Sequence, residues 1–115
     1  MSSLSTTPAQ GPPVKSTLAG DPDMAELVAE FAAEMPQKTA ELTRSWEANE
    51  LGAIQRLAHQ LKGSSGGYGF ATVGKAAASV ENTLIRLGNG DAQATLERLR
   101  FEFNILLDLL KRVTV

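Results

Sequence analysis

The chain has 115 residues, of which 43% are apolar, 21% are charged and 5% are aromatic. This length suits one small globular domain and excludes a multidomain enzyme. Lysine and arginine together number 11 against 13 acidic residues. The sequence therefore has no overall basic surface of the kind that binds nucleic acids non-specifically, and we expect no nucleic-acid partner. Partners must be sought in local motifs.

Missing residue types exclude further classes of site. The chain has no cysteine, which rules out disulfides, thiol nucleophiles and cysteine metal sites. Its single histidine, His59, is too few for an ordinary metal site, so we expect no bound metal. No window approaches the roughly 20 apolar residues that span a bilayer, and the amino end lacks the pattern of a secretory signal. We expect a cytoplasmic protein with no membrane contact.

The amino-terminal residues differ in composition from the rest. Residues 1–20 are rich in proline, serine, threonine and glycine and contain one charged side chain, Lys15. This composition is typical of disorder. The sequence therefore predicts a disordered arm over residues 1–20 and a folded domain over residues 21–115.

Apolar residues at intervals of three and four predict four helices, and no stretch shows the alternation of a strand. The first helix is expected over residues 24–46. Asp21 supplies a capping acid and Pro22 suits the first turn. Pro36 is expected to kink or split this helix. Trp46 is expected in the core or at its edge.

The other three helices follow at short intervals. The second is expected over residues 51–68 with Asn49 as its cap, and the third over residues 73–87 with Thr72 as its cap and a stop at residues 88–90. The fourth is expected over residues 96–113, after Asp91. Short connections make neighbouring helices antiparallel, so the economical fold is an all-α antiparallel four-helix bundle. One such bundle buries its own apolar stripes, and we expect a monomer.

The histidine lies on a polar face of the second predicted helix. At 100° per residue, Ile54, Leu57 and Tyr68 fall on the opposite, apolar side, so His59 is expected to point outward. Ser64 and Ser65 are expected to point inward and to bond back to backbone carbonyls. The residues that share the face of His59 are Gly52, Gln55, Arg56, Lys62, Gly63 and Gly66.

Glycine and charge make this face unusual. Each glycine inside a helix lowers the stability of the helix by about 1 kcal/mol relative to alanine. Close approach by a partner would offset this loss. Residues 51–80 contain no acid but include Arg56, Lys62 and Lys75. The face is therefore expected to be positive and to suit a phosphoryl group or a partner rich in carboxylates. We expect the partner to contact this face and Gln60 beside it.

The same residues suggest a phosphoryl acceptor. An exposed imidazole is mostly neutral near neutral pH and attacks phosphorus without a base. Lys62, three residues on, is placed to offset the charge of phosphoryl oxygens. No carboxylate lies nearby in the sequence to activate water, so the phosphorylated product is expected to persist.

Residues 59–65, His-Gln-Leu-Lys-Gly-Ser-Ser, resemble the signature of histidine-containing phosphotransfer (Hpt) domains of bacterial two-component phosphorelays. Gly69 and the later pair Val80-Glu81 extend the resemblance, which covers residues 21–115. It implies a four-helix bundle with an additional N-terminal helical segment. It also implies that His59 is phosphorylated on Nε2 and that Lys62 stabilises the phosphate. Gly63 is implied to leave space for the receiver domain. The other motif residues are implied to be structural and are Leu61, Ser64, Ser65, Gly69 and Glu81.

The resemblance also implies the partners. These are response-regulator receiver domains, whose aspartate donates or accepts the phosphoryl group and whose site carries Mg²⁺, and also a hybrid histidine kinase. The chain itself is expected to be a phosphocarrier with no stably bound cofactor and no enzymatic activity of its own. The alternative is a module that docks a receiver or a kinase through the same helix face without carrying phosphate.

Overall fold

A computed structural model describes residues 11–115, and four helices account for most of them. The helices are α1 (Ala25–Glu47), α2 (Leu51–Ser65), α3 (Ala71–Gly88) and α4 (Leu96–Arg112). Two short strands, β1 (Val14–Lys15) and β2 (Val113–Thr114), pair in parallel with Val14 opposite Val113. The predicted all-α four-helix fold is confirmed. Among the residues described, no helix is long and apolar enough to cross a membrane.

The core lies between the apolar stripes of all four helices. The α2–α3 pair packs most extensively, and α3 also packs against α4. Trp46 lies at the edge of the core, as expected, with its ring stacked on Phe103 at a centroid distance of 4.7 Å. Core residues with no more than 2% exposure include Met35, Leu42, Ile54, Ala58, Leu61, Val73, Ala77, Val80, Leu99, Phe103 and Leu106.

Asn49 ends α1 and does not cap α2, contrary to the prediction. Its φ of 59° is left-handed, which asparagine tolerates better than most residues. The Asn49 amide donates to the Trp46 carbonyl at 3.0 Å, and the Glu50 amide donates to the Ser45 carbonyl at 2.8 Å. These two bonds form a Schellman motif that satisfies the last carbonyls of α1. Glu50 precedes α2 without a side-chain cap.

The predicted boundaries of the other helices are partly corrected. Pro36 lies inside α1, which continues through it and is not split. Thr72 lies in the first turn of α3, and Phe70 precedes that helix without a side-chain cap. α3 ends at Gly88, as predicted. Thr95 caps α4 by accepting a hydrogen bond from the Arg98 amide at 3.0 Å.

Residues 11–20 differ from the disordered arm that the sequence predicts. Val14 and Leu18 pack against the core, and Ser16 is buried. The backbone of this segment bonds to Val113–Thr114 and to the turn after α2, so it forms a strand and turns. No helix precedes α1 within residues 11–24, so the expected additional N-terminal helical segment is not found in this part of the chain. The rest of the predicted arm, residues 1–10, lies outside the described residues.

Gly69 closes the turn that follows α2 and lies against the amino-terminal segment. Its φ is +82°, and the Phe70 amide donates to the Ser65 carbonyl at 2.8 Å in a second Schellman motif. A Cβ added at Gly69 would overlap the Ser16 Oγ and would lie 3.0 Å from the Thr17 amide nitrogen. Glycine is therefore required here both by backbone conformation and by space.

We predict that Gly69→Ala lowers the free energy of unfolding by about 2 kcal/mol, because alanine is strained at positive φ and would displace Ser16. Gly52→Ala is the matched control. Position 52 is helical with nothing within 4 Å of an added Cβ, so alanine should raise stability by about 0.5 kcal/mol. Urea denaturation of both variants measures the difference. Equal stability of the two would contradict the role given to Gly69.

Candidate functional site

His59 stands on the outer face of α2, as the helical spacing predicts. Its side chain is 68% exposed. On the inner side of the same turn, Ala58 is fully buried and Leu61 is 2% exposed. The buried residues hold the helix against the bundle, and the imidazole is left accessible to a molecule approaching from outside.

A carboxylate from α3 joins His59 to Lys62. The Glu81 Oε2 atom lies 2.5 Å from the His59 Nδ1 atom, and the Glu81 Oε1 atom lies 2.7 Å from the Lys62 Nζ atom. The Glu81 side chain is only 11% exposed, whereas that of Lys62 is 44% exposed. The three side chains form one hydrogen-bonded group, which we call the His59–Glu81–Lys62 cluster.

The cluster fixes the charge of Glu81. The hydrogen bond from the Lys62 ammonium lowers the pKa of the Glu81 carboxyl group below its usual value, and the bond to His59 acts in the same direction. Burial opposes them by raising the pKa, but the net shift is downward. Glu81 is therefore ionised near neutral pH and acts only as a hydrogen-bond acceptor.

An acceptor at Nδ1 determines where the imidazole carries its proton. The short contact between Glu81 Oε2 and His59 Nδ1 requires a hydrogen on Nδ1. In the neutral ring, the lone pair then resides on Nε2. That atom lies on the side of the ring away from Glu81, where a molecule approaching the exposed side chain meets a nucleophilic nitrogen.

Glu81 changes two expectations from the sequence. No carboxylate was expected close to His59, because the nearest acids in the sequence are Glu50 and Glu81, nine and 22 positions away. Its charge also offsets that of Lys62, so the face is less positive than predicted. One feature of the sequence points to this contact. Glu81 lies one turn after the small residue Ala77, which is buried on the side of α3 that packs against α2.

Small residues bring α2 and α3 close enough for this contact. A Cβ added at Gly74 would lie 3.6 Å from the Ser65 Cβ and 3.7 Å from the Lys62 carbonyl oxygen. Ser65 is fully buried as predicted, but its Oγ has no hydrogen-bonding partner among the described residues, which corrects the expected bond to a carbonyl. Ser64 does make that bond, with its Oγ 3.0 Å from the Gln60 carbonyl oxygen.

A family comparison agrees with this geometry. A family model described as the Hpt domain matches residues 26–113, from the first turn of α1 to β2. The chain belongs to the Hpt domain family. The resemblance to Hpt domains seen in the sequence is thereby confirmed. No curated protein and no solved structure gives a significant match to the chain. Hpt domains are phosphotransfer modules of phosphorelays that carry phosphoryl groups and interact with receiver domains and kinases.

The remaining predicted contact residues of this Hpt domain form an open strip around His59. A Cβ added at Gly52, Gly63 or Gly66 would meet nothing within 4 Å, so no contact inside the molecule requires glycine there. Arg56 and Gln60 are exposed, and Gln55 is half-buried. Of the motif residues expected to be structural, Leu61 lies in the core and Gly69 lies in the turn after α2. Within residues 11–115, no group of three or more acidic or histidine side chains is placed to hold a metal ion.

We predict that NMR of the imidazole nitrogens shows a protonated Nδ1 and a bare Nε2 near neutral pH. Glu81→Ala removes the acceptor and should let the proton distribute between both nitrogens. Glu97→Ala, which removes an exposed acid from α4, serves as the control and should leave the His59 signals unchanged. The same tautomer in wild type and Glu81→Ala would show that Glu81 does not fix the proton.

Proposed function

We propose that this Hpt domain accepts a phosphoryl group on Nε2 of His59 from the aspartate of one receiver domain and surrenders it to the aspartate of another. The observation that carries the proposal is the bond between Glu81 and the Nδ1 atom of His59. It leaves Nε2 as an exposed nucleophile on the open face of α2. The family membership supports the phosphotransfer role in general.

The transfer step balances without a general base. The Nε2 lone pair forms a bond to phosphorus, the bond from phosphorus to the aspartate oxygen breaks, and the electron pair remains on the receiver carboxylate. The hydrogen on Nδ1 stays in place throughout. The ring thereby becomes positively charged, and the ionised Glu81 beside Nδ1 offsets that charge. The reverse step returns the phosphoryl group to an aspartate.

Lys62 supports the same step from one turn away. An ammonium group has three donors, and Glu81 Oε1 accepts one of them at 2.7 Å. The side chain is 44% exposed, so the other donors are accessible to the oxygens of a phosphoryl group on His59. Lys62 therefore both positions Glu81 and offsets negative charge on the phosphoryl group.

The receiver supplies Mg²⁺ and most of the catalytic groups in this proposal. The open strip at Gly63 and Gly66 admits the surface of the receiver close to the backbone of α2. After the receiver leaves, the phosphohistidine persists because Glu81 is bonded to His59 and Lys62 on the side of the ring away from Nε2. The carboxylate is thus not placed to activate water against phosphorus, which suits a carrier.

Incubation with a phosphorylated receiver and Mg²⁺ tests the proposal. We predict acid-labile, base-stable label on the wild-type chain and none on His59→Gln. Lys62→Ala should slow transfer by about tenfold, the effect of losing one charge-assisted contact. Lys111→Ala removes another exposed lysine, near the end of α4, and should transfer at the wild-type rate.

The outcomes separate the two functions. Binding of the receiver with no label on wild type would favour the docking module that carries no phosphate. Equal rates for Lys62→Ala and wild type would remove the role given to Lys62, while label that survives in His59→Gln would place the acceptor elsewhere.

Docking over Gly63 gives a separate prediction. Gly63→Leu places a large side chain on the open strip and should weaken receiver binding by at least tenfold, because it fills the space that close approach requires. Asn104→Leu adds the same side chain to the exposed side of α4 and should bind normally. Calorimetric titration with the receiver compares the two. Normal affinity of Gly63→Leu would contradict close approach at this position.

A further inference from the structure

The segment of residues 12–18, which we call the strap, holds the turn that ends the phosphoacceptor helix. The Ser16 Oγ donates a hydrogen bond to the Tyr68 carbonyl at 2.6 Å and accepts one from the Leu18 amide at 2.9 Å. The Thr17 amide donates to the Gly69 carbonyl at 3.0 Å. Tyr68 and Gly69 of this turn thus both bond to a segment more than 50 positions earlier in the chain.

The end of α2 needs this external support. Residues 63–69 contain four glycines, two serines and one tyrosine, which is a poor composition for a helix. Only Tyr68 among them has a large side chain, and its ring lies 5.2 Å from that of Phe31. Besides the hydrogen bonds within the turn itself, its backbone is held by the strap on one side and by this aromatic contact on the other.

The opposite end of the strap is attached more weakly. Val14 and Lys15 pair with only two residues of β2, and the Pro12 carbonyl accepts one solvent-exposed hydrogen bond, at 3.1 Å, from the Nη1 atom of the half-buried Arg112. The apolar anchors, Val14 and Leu18, are both only half-buried. Short pairing and partial burial are the features of a unit that opens locally while the rest of the fold remains intact.

Opening of the strap would reach the His59–Glu81–Lys62 cluster. Lys62 lies in the last turn of α2, where its carbonyl is one of those that the turn after the helix helps to hold in place. Fraying from Tyr68 backward frees the backbone that positions the Lys62 ammonium against Glu81. Fraying would disturb the position of Lys62 first, because His59 lies nearly one turn farther from the end of α2.

We propose that the strap is a separately opening unit that keeps the end of α2 folded, and that its release slows phosphoryl transfer by loosening Lys62. The inference rests on the proposed function for its second part. Its first part, local opening coupled to the end of α2, stands without any phosphoryl transfer.

Hydrogen exchange tests the first part on the full chain. Ser16→Ala removes both side-chain bonds and should speed exchange of the Thr17, Tyr68 and Phe70 amides by about tenfold. The amide of Leu99 in α4 should be unaffected. Ser79→Ala is the matched control, because that serine also bonds to a backbone carbonyl, at 3.2 Å, but on the exposed side of α3. Unchanged exchange at Tyr68 and Phe70 would overturn the proposal.

Transfer kinetics test the second part. The double variant Val14→Asp/Ser16→Ala should hold the strap mostly open and slow labelling of His59 toward the rate of Lys62→Ala, with the helical circular-dichroism signal retained. Val115→Asp, at an exposed valine, is the control for the added charge. Adding Lys62→Ala to the double variant should cause little further loss, because both changes act through the same side chain.

Two results would overturn this second part, namely wild-type transfer by the strap-open variant or fully additive losses with Lys62→Ala. If wild type takes no label at all, the proposed function fails instead. The exchange measurements then still decide whether the strap opens as a unit and frays α2.

Discussion

The nearly buried carboxylate of Glu81 is the group on which the rest of the site depends. Placing an ionised carboxylate between two helices is costly unless hydrogen bonds and an opposite charge compensate it. Lys62 and His59 provide that compensation from one face of α2, at 2.7 and 2.5 Å. Because each partner satisfies a different oxygen, the loss of either leaves the carboxylate incompletely paired. Stability and chemistry are therefore coupled at this position.

Close packing of α2 against α3 makes the contact possible. A Cβ added at Gly74 would already be in van der Waals contact with Ser65 and the Lys62 carbonyl oxygen. An antiparallel neighbour held this close places Glu81 level with His59, although 22 residues separate them in the sequence. The small residues of the motif thus serve two purposes. Those on the inner side set the helix spacing, and those on the outer side leave the surface open.

Sequence periodicity was sufficient to predict the four helices but not the contacts between them or the two short strands. The apolar stripes and the face of His59 were predictable because both follow from spacing within one helix. The bond from Glu81 to His59 depends on the register between helices, which no local pattern specifies. The strap was not predicted for the same reason, because Ser16 bonds to Tyr68 across 52 positions and no local pattern specifies such a contact. Asn49 was misplaced because adjacent helix ends compete for the same residue and both favour asparagine.

The charge balance of the site suits the proposed role of a carrier, which must hold a phosphoryl group without hydrolysing it. The charges of Lys62 and Glu81 nearly cancel one another, so in the proposed function the electric field at His59 would change mainly when phosphorylation gives the ring a positive charge. In that proposed state Glu81 would face a positive ring and Lys62 a negative phosphoryl group, so each side chain would lie next to the opposite charge. Neither side chain has to move, and neither is placed to direct water at phosphorus. In the function proposed for His59, a site arranged in this way would favour formation of the phosphohistidine and leave its discharge to a partner with its own metal and acceptor.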